Sequence, residues 1–329
     1  MMNRFWKKHI YKIISLVIII ILLIALKFTI SKFEDDKLAE PFVYGNVCGG
    51  LGNQFFIIYN AISYSIDNDK TFYFPSKNGD KRGLYWDTIF ANLKSHAIEP
   101  ELLSEYKITN LSEKGFHYNP LEKIDGNVSL SGYFQSEKYF KHNFDKINEI
   151  VDIREIQNDI RIKYWDPEIK RNYPNTPIIS LHFRFGDYTQ LQSAHYIQIP
   201  QYYINSLNYL DSQGIDLSTI LYFGEEDDNE IIARYIAEIK KGINKELNFI
   251  NYRDVINTKL TDWEELLLMS CCDHNIISNS TFSWWAAYLN DNPNKIVCYP
   301  SIWFGPDGQH NDTSDIGPTD WKKINSVNV

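Results

Sequence analysis

Cysteine is scarce in this 329-residue chain. There are four, Cys48, Cys271, Cys272 and Cys298, and no C-x-x-C pair, which excludes a thiolate zinc site. The thiols read as buried and free, with one disulfide open to an exported body. The glycine-rich loop Gly49-Gly50-Leu51-Gly52 is followed by no Gly-Lys-Ser/Thr and does not spell G-x-G-x-x-G. It is therefore neither a Walker A loop nor a dinucleotide fingerprint. Acidic residues are missing from positions 1–33, which hold six of the 33 basic residues and none of the 42 acidic ones, leaving residues 34–329 at a formal net charge of −15. A body that acidic is excluded from general nucleic-acid binding. An anionic ligand must be held by a few placed cations and helix N-termini.

The first 33 residues are unlike the rest. Between Lys12 and Lys27 runs the charge-free Ile13–Leu26, about 21 Å long as a helix and short of the roughly 30 Å hydrocarbon layer. Lys12 and Lys27 can snorkel, and the flanking Ile10, Tyr11, Phe28 and Ile30 extend the span. No small-x-small cleavage site follows Ala25, which favours an uncleaved transmembrane signal-anchor over a signal peptide. The basic excess before the span keeps the N-terminus cytoplasmic and exports the body, a single-pass type II arrangement (Golgi or an equivalent secretory membrane in a eukaryotic host). Residues 34–41 read as a stem. Glycosylation sequons stand at Asn110, Asn127, Asn279 and Asn311, with Asn279 inside a motif that argues against its use.

The length suggests two domains beyond the anchor, 42–175 and 176–329, with a linker around Tyr164–Pro177 where Pro167, Pro174 and Pro177 cluster. A strand candidate Phe42–Cys48 enters the glycine loop and a helical run Phe55–Ile66. The loop reads either as a tight strand-to-helix turn or as a backbone cradle for an anion or sugar hydroxyl. Asn53 and Gln54 at its mouth favour the cradle. A second strand covers Thr71–Pro75. Asp67-Asn68-Asp69 before it has the form of a metal-binding D-x-D, but its place between helix and strand makes it a turn. Leu130–Phe140 is a further strand with a polar, aromatic continuation.

From Pro177 strands and helices alternate. The strands are Ile178–Phe185, Thr219–Phe223, Asn248–Asn251, His274–Ser278 and Lys295–Tyr299; the helices are Gln201–Asp211, Asn229–Lys240, Asp262–Cys272 with Asp262 as N-cap, and Trp284–Leu289. Repeated βα units imply an α/β fold with a parallel, doubly wound sheet, whose ligands bind at the C-terminal strand ends. Three polar clusters fall there. On the first strand His182 and Arg184 point to one side and Phe183 and Phe185 to the other, with Asp187 and Tyr188 just beyond. The second, Glu225–Asp228, suits a nucleobase or ribose edge, or else is a solvated helix start that favours negative charge. The third, Asn279-Ser280-Thr281-Phe282-Ser283, opens a helix and can cap it, bind phosphate or do both.

Four motifs in order resemble glycosyltransferase family 11, the galactoside α-1,2-fucosyltransferases: Gly49-Gly50-Leu51-Gly52-Asn53-Gln54-Phe55; Gly132-Tyr133-Phe134-Gln135-Ser136-Glu137-Lys138-Tyr139-Phe140; His182-x-Arg184-x-Gly186-Asp187-Tyr188; and Met269-Ser270 through Ser278-Asn279-Ser280-Thr281-Phe282-Ser283-Trp284-Trp285. The resemblance spans roughly 42–324. It implies a GT-B-like pair of Rossmann-like domains, with the acceptor on the N-terminal side and the nucleotide sugar on the C-terminal side. It also implies GDP-fucose as donor, a galactose-terminated acceptor, inversion at the anomeric carbon, and no metal or other cofactor. It places Arg184 on the donor diphosphate, with Tyr188, Glu226, Asp227, Asn279, Ser280, Thr281, Phe282 and Ser283 around the donor. His182 and Asp187 are the proton-handling candidates, and Gly49, Gly50, Gly52, Asn53 and Gln54 face donor or acceptor. Two departures stand out. Gly-Glu-Glu-Asp-Asp leaves the register open among Glu226, Asp227 and Asp228, and Phe185 replaces a second arginine. The alternatives are a membrane-anchored glycan-binding protein without catalysis and a transferase using another nucleotide sugar.

Overall fold

The computed structural model describes residues 17–21, 38–77 and 82–327. Most of the anticipated anchor lies outside them; 17–21 is helical with exposed Val and Ile side chains. Among the described residues no helix is long and apolar enough to cross a membrane.

Apolar segments bounded by turns form two sheets in which all pairings are parallel. The first comprises β1 (Phe42–Gly45), β2 (Thr71–Pro75), β3 (Ala97–Ile98), β4 (Ile108–Ser112) and β5 (Asn127–Ser131), in the order β3-β2-β1-β5-β4. Helix α1 (Leu51–Asn68) follows β1 directly. The switch between β1 and β5 is stitched by Asn46, whose amide donates to Ser129 Oγ, Leu130 O and Ser131 Oγ at 2.8, 2.9 and 3.1 Å. Helices α2 (Phe144–Val151) and α3 (Ile153–Ile160) lead into a π-helical stretch Arg161–Lys170 with Pro167 inside it. Proline has no N–H for a tighter ladder. The anticipated linker is therefore helical through Lys170.

The second sheet holds β6 (Ile179–His182), β7 (Thr219–Phe223), β8 (Asn248–Asn251), β9 (His274–Ile276), β10 (Val297–Pro300) and β11 (Lys322–Ile324), ordered β11-β10-β9-β6-β7-β8. Its helices are α4 (Pro200–Ser212), α5 (Asn229–Gly242), α6 (Tyr252–Val255), α7 (Asp262–Ser270) and α8 (Thr281–Leu289). The chain builds outward from β6 through β8, then returns to start β9 on the other flank of β6. That reversal makes the gap between β6 and β9 the switch point, where open α/β sheets bind ligands. Helix α7 is capped by Thr261 in a capping box with Glu264, not by Asp262, which instead accepts the Tyr85 hydroxyl.

The sheets share a core through α1 and α8. Phe55 stacks on Trp285 at 4.8 Å, Phe56 meets Trp284 at 4.5 Å and Tyr59 meets Trp285 at 4.6 Å. Two sequon asparagines are buried. Asn127 accepts from Phe42 N and donates to Glu40, and Asn279 donates to two carbonyls. The Asp67-Asn68-Asp69 segment is the end of α1. Asp69 caps it in the left-handed region and Asp67 accepts from Asn143 beside His142.

Candidate active site

The C-terminal ends of both sheets open on one cleft of about 1460 Å³. Strand alternation decides what β6 delivers to it. His182 and Arg184 line the cleft. Phe183 and Phe185 are buried behind, Phe185 edge-on to Tyr235 at 4.8 Å and Phe183 against Tyr203 at 4.9 Å. The Phe185 side chain belongs to the core of the second sheet, where an arginine would be buried among aromatic rings.

Arg184 donates to Glu225 and to Asp187 and lies 4.9 Å from the Tyr188 ring centroid. Tyr188 is itself stacked on His195 at 4.2 Å and donates to Asn279 O at 3.1 Å. The guanidinium is thus fixed on three sides. Gly186, at φ +37°, brings the turn so close to Glu225 that a Cβ would stand 2.7 Å from its carboxylate. Its N–H donates to Asp228 Oδ2 at 2.9 Å. Asp228 therefore serves the turn, Glu225 serves Arg184, and Glu226 and Asp227 remain along the cleft wall.

Behind Arg184, His182 Nδ1 is 2.9 Å from Ser278 Oγ across the switch point. Burial, reinforced by the Arg184 charge, pushes the imidazole pKa down to about 3, so the ring is neutral and a weak base at neutral pH. The Ser/Thr turn divides by function. Asn279 spends its side chain on Tyr196 O, Trp303 O and Gln198, and Ser283 is fully buried with its hydroxyl turned to Ser280 O. Ser280, Thr281 and Phe282 line the cleft. No side chain caps α8, nor α1 opposite it, so both present first-turn N–H groups to the cleft without a side-chain acceptor.

The two helix starts nearly touch. A Cβ on Gly52 would lie 2.3 Å from the Thr281 carbonyl carbon. Asn53 Oδ1 accepts from Thr281 Oγ1 at 2.9 Å and from Gln135 Nε2 at 3.0 Å, joining three of the four motifs. Gly49 sits at φ +76°, and Gly49 and Gly50 line the cleft. Gln54 is buried. Its amide donates to Gly49 O and Gly83 O, both at 2.9 Å, so it supports the loops from behind.

Several cleft residues carry no sequence signal of their own. Arg82, from the first domain, pairs with Asp187 at 3.1 Å. Arg253 donates to Gly224 O at 2.6 Å and to Glu265 at 3.2 Å, and burial pushes the Glu265 carboxyl up. Phe116 and Phe304, which meet edge-on at 4.7 Å, also line the cleft, as do Tyr133 and Trp303. Among the described residues no group of three or more His, Cys, Asp or Glu side chains is gathered as a metal site.

The chain is similar to an α-1,2-colitosyltransferase of Escherichia coli, 26% identical over 86% of this chain and 98% of that one. It is also similar to the Escherichia coli O-antigen biosynthesis glycosyltransferase WbnK, 28% identical over 80% and 81% of the two chains. Among solved structures, the fucosyltransferase NodZ from Bradyrhizobium aligns over 77% of this chain and 93% of that one, with 12% identity and a TM-score of 0.41. A family 9 glycosyl transferase from Veillonella parvula covers 89% of each, with 9% identity and a TM-score of 0.42. Residues 89–324, which include the His182–Tyr188 and Ser278–Trp285 motifs that build the cleft, match glycosyl transferase family 11, and the chain belongs to that family.

Proposed function

We propose that this glycosyltransferase moves L-fucose from GDP-fucose to the 2-hydroxyl of a galactoside, with inversion and without a metal. The observation that carries the reading is that Arg184 and the uncapped start of α8 line one cleft at the β6/β9 switch point. A guanidinium and helix N–H groups are the donors a departing diphosphate needs. In one displacement the acceptor oxygen bonds to the anomeric carbon as the bond to the phosphate oxygen breaks, and charge grows on GDP. The buried His182 is too weak a base for the hydroxyl proton, which passes to Asp187 once the diphosphate has drawn Arg184 and Arg82 off its carboxylate. Glu226 and Asp227 face the nucleoside.

A second reading keeps the reaction and changes the sugar. It is favoured by the similarity to an α-1,2-colitosyltransferase, colitose being fucose without its 3-hydroxyl. Release of GDP from GDP-fucose and GDP-colitose, measured over a panel of galactosides, separates the two. Arg184→Ala should lower kcat/KM by about 10²–10³-fold while circular dichroism stays unchanged. An Arg184→Ala protein with full turnover would sink the assignment, and nucleotide binding without any turnover would indicate a glycan-binding protein instead.

A further inference from the structure

Asp187 is where two cations from different sheets converge. Arg184, at the end of β6, donates to one of its carboxylate oxygens, and Arg82, between β2 and β3, lies 3.1 Å from the other. A carboxylate held by one guanidinium at each oxygen occupies a place that suits a phosphate, which offers more oxygens and more charge to the same two forks.

The surroundings are those of a phosphate site. A Cβ on Gly50 would stand 3.0 Å from Arg82 Nη1, so the missing side chain is what lets the guanidinium lie against the glycine loop. Arg82 is placed there by the buried Gln54, whose amide hydrogens tie Gly83 to Gly49. Position 185, three residues past the end of β6, is given to the core. The other cleft arginine, Arg253, is committed to Gly224 O and Glu265.

From this we infer that Arg82 is the second guanidinium of the diphosphate site, delivered by the first domain across the cleft. The inference rests on the nucleotide-sugar reading above and adds a residue to it. It also gives a physical reason for the donor to lie between the two domains: half of the positive charge for the leaving group sits on each.

Calorimetric titration with GDP and with GMP tests the assignment on the full chain. Wild-type protein should bind GDP more tightly than GMP. Arg82→Ala should weaken GDP by about tenfold, leave GMP unchanged, and lower kcat/KM by about 10²-fold, the range for removal of one donor to a developing anion. Arg82→Lys should recover part of both losses, since it restores the charge without the fork. The Arg82–Asp187 pair is exposed, so the melting temperature should not move. Arg82→Ala that binds GDP like wild type, or that weakens GDP and GMP equally, overturns the assignment while the nucleotide reading stands. Wild-type protein that binds neither nucleotide overturns both.

Discussion

Arg184 carries two carboxylates, Glu225 and Asp187, and a diphosphate must displace at least one to reach it. The phosphate takes the place of Asp187 between Arg184 and Arg82, and Glu225 is the other carboxylate to yield. Asp187 also holds Arg82, whereas Glu225 sits half-exposed and pairs only with Arg184 among the ion pairs found. It therefore competes with the donor. Glu225→Gln should lower the donor KM by about two- to fivefold, the modest size following from solvent screening of an exposed charge, and the gain should shrink as salt is raised. A donor KM that rises in this variant would show that Glu225 orients Arg184 rather than opposing its ligand. At this scale the sequence was readable where a residue's direction follows from its strand. Alternation alone put His182 and Arg184 in the cleft and Phe183 and Phe185 in the core. It was unreadable where a side chain arrives from a loop. Arg82 lies in Lys77–Gly83, a run of Lys, Asn, Asp and Gly that reads as a solvated turn, and only the fold of the first sheet brings it to Asp187. Asn279, Ser283 and Gln54 show the converse: polar residues in a motif whose side chains are spent on holding backbone in place.

The elements that matter most are α1 and α8, whose first turns abut at Gly52 and Thr281. Neither helix end is capped by a side chain, while α7 has a full capping box. Leaving both starts without a side-chain cap costs from a few tenths of a kcal/mol, as for the glycine that starts α1, to about 1 kcal/mol and keeps their N–H groups available to an anion. Gly52→Ala would drive a methyl into the Thr281 peptide, where backbone rather than a flexible side chain must give way. The expected cost is about 1–3 kcal/mol of stability, read as a lower melting temperature, with a larger proportional loss of GDP affinity because the two helix starts are forced apart. Unchanged affinity in a destabilised Gly52→Ala protein would mean that the junction is packing alone. The boundaries of β2, β7 and β8 fall where their apolar spans and turn residues indicate, whereas the fully buried strands expected to run to Cys48, Phe185 and Ser278 stop at Gly45, His182 and Ile276, where the chain turns into the cleft loops. Three of the edge strands carried no signal at all. β3 has two residues, and β4 and β11 are largely exposed, so neither periodicity nor apolar content marks them. The cap of α7 was misplaced by one residue because Thr261 and Asp262 are both good capping types, and Asp262 is drawn off by Tyr85 from the other domain.

On the scale of the whole molecule, two sheets do not make two independent folding units. One apolar cluster runs from β1 and α1 through α3 to α7, α8 and β10, and its centre is the aromatic stack of Phe55, Phe56 and Tyr59 on Trp284 and Trp285, all essentially without solvent exposure. Inter-domain contacts of the ordinary kind are polar and permit separate motion; this one is core. The stretch from Tyr164, which the prolines of the sequence marked as a linker, carries Tyr164 and Trp165 into the same cluster, and α3 before it adds Ile160, so the connection is part of the packing. The described body should therefore unfold in a single cooperative transition, with tryptophan fluorescence and far-ultraviolet circular dichroism superimposing across a denaturant titration. Trp285 is the residue on which the coupling turns, since it touches Phe55, Phe56, Tyr59 and Phe140 from the first domain and is anchored in α8 of the second. Trp285→Ala should cost about 3–5 kcal/mol and split the transition in two, the second sheet and the first melting separately. Two resolved transitions in the wild-type protein would refute the shared core. A single transition in Trp285→Ala, shifted but intact, would show that the cluster remains continuous through Trp284 and Phe56.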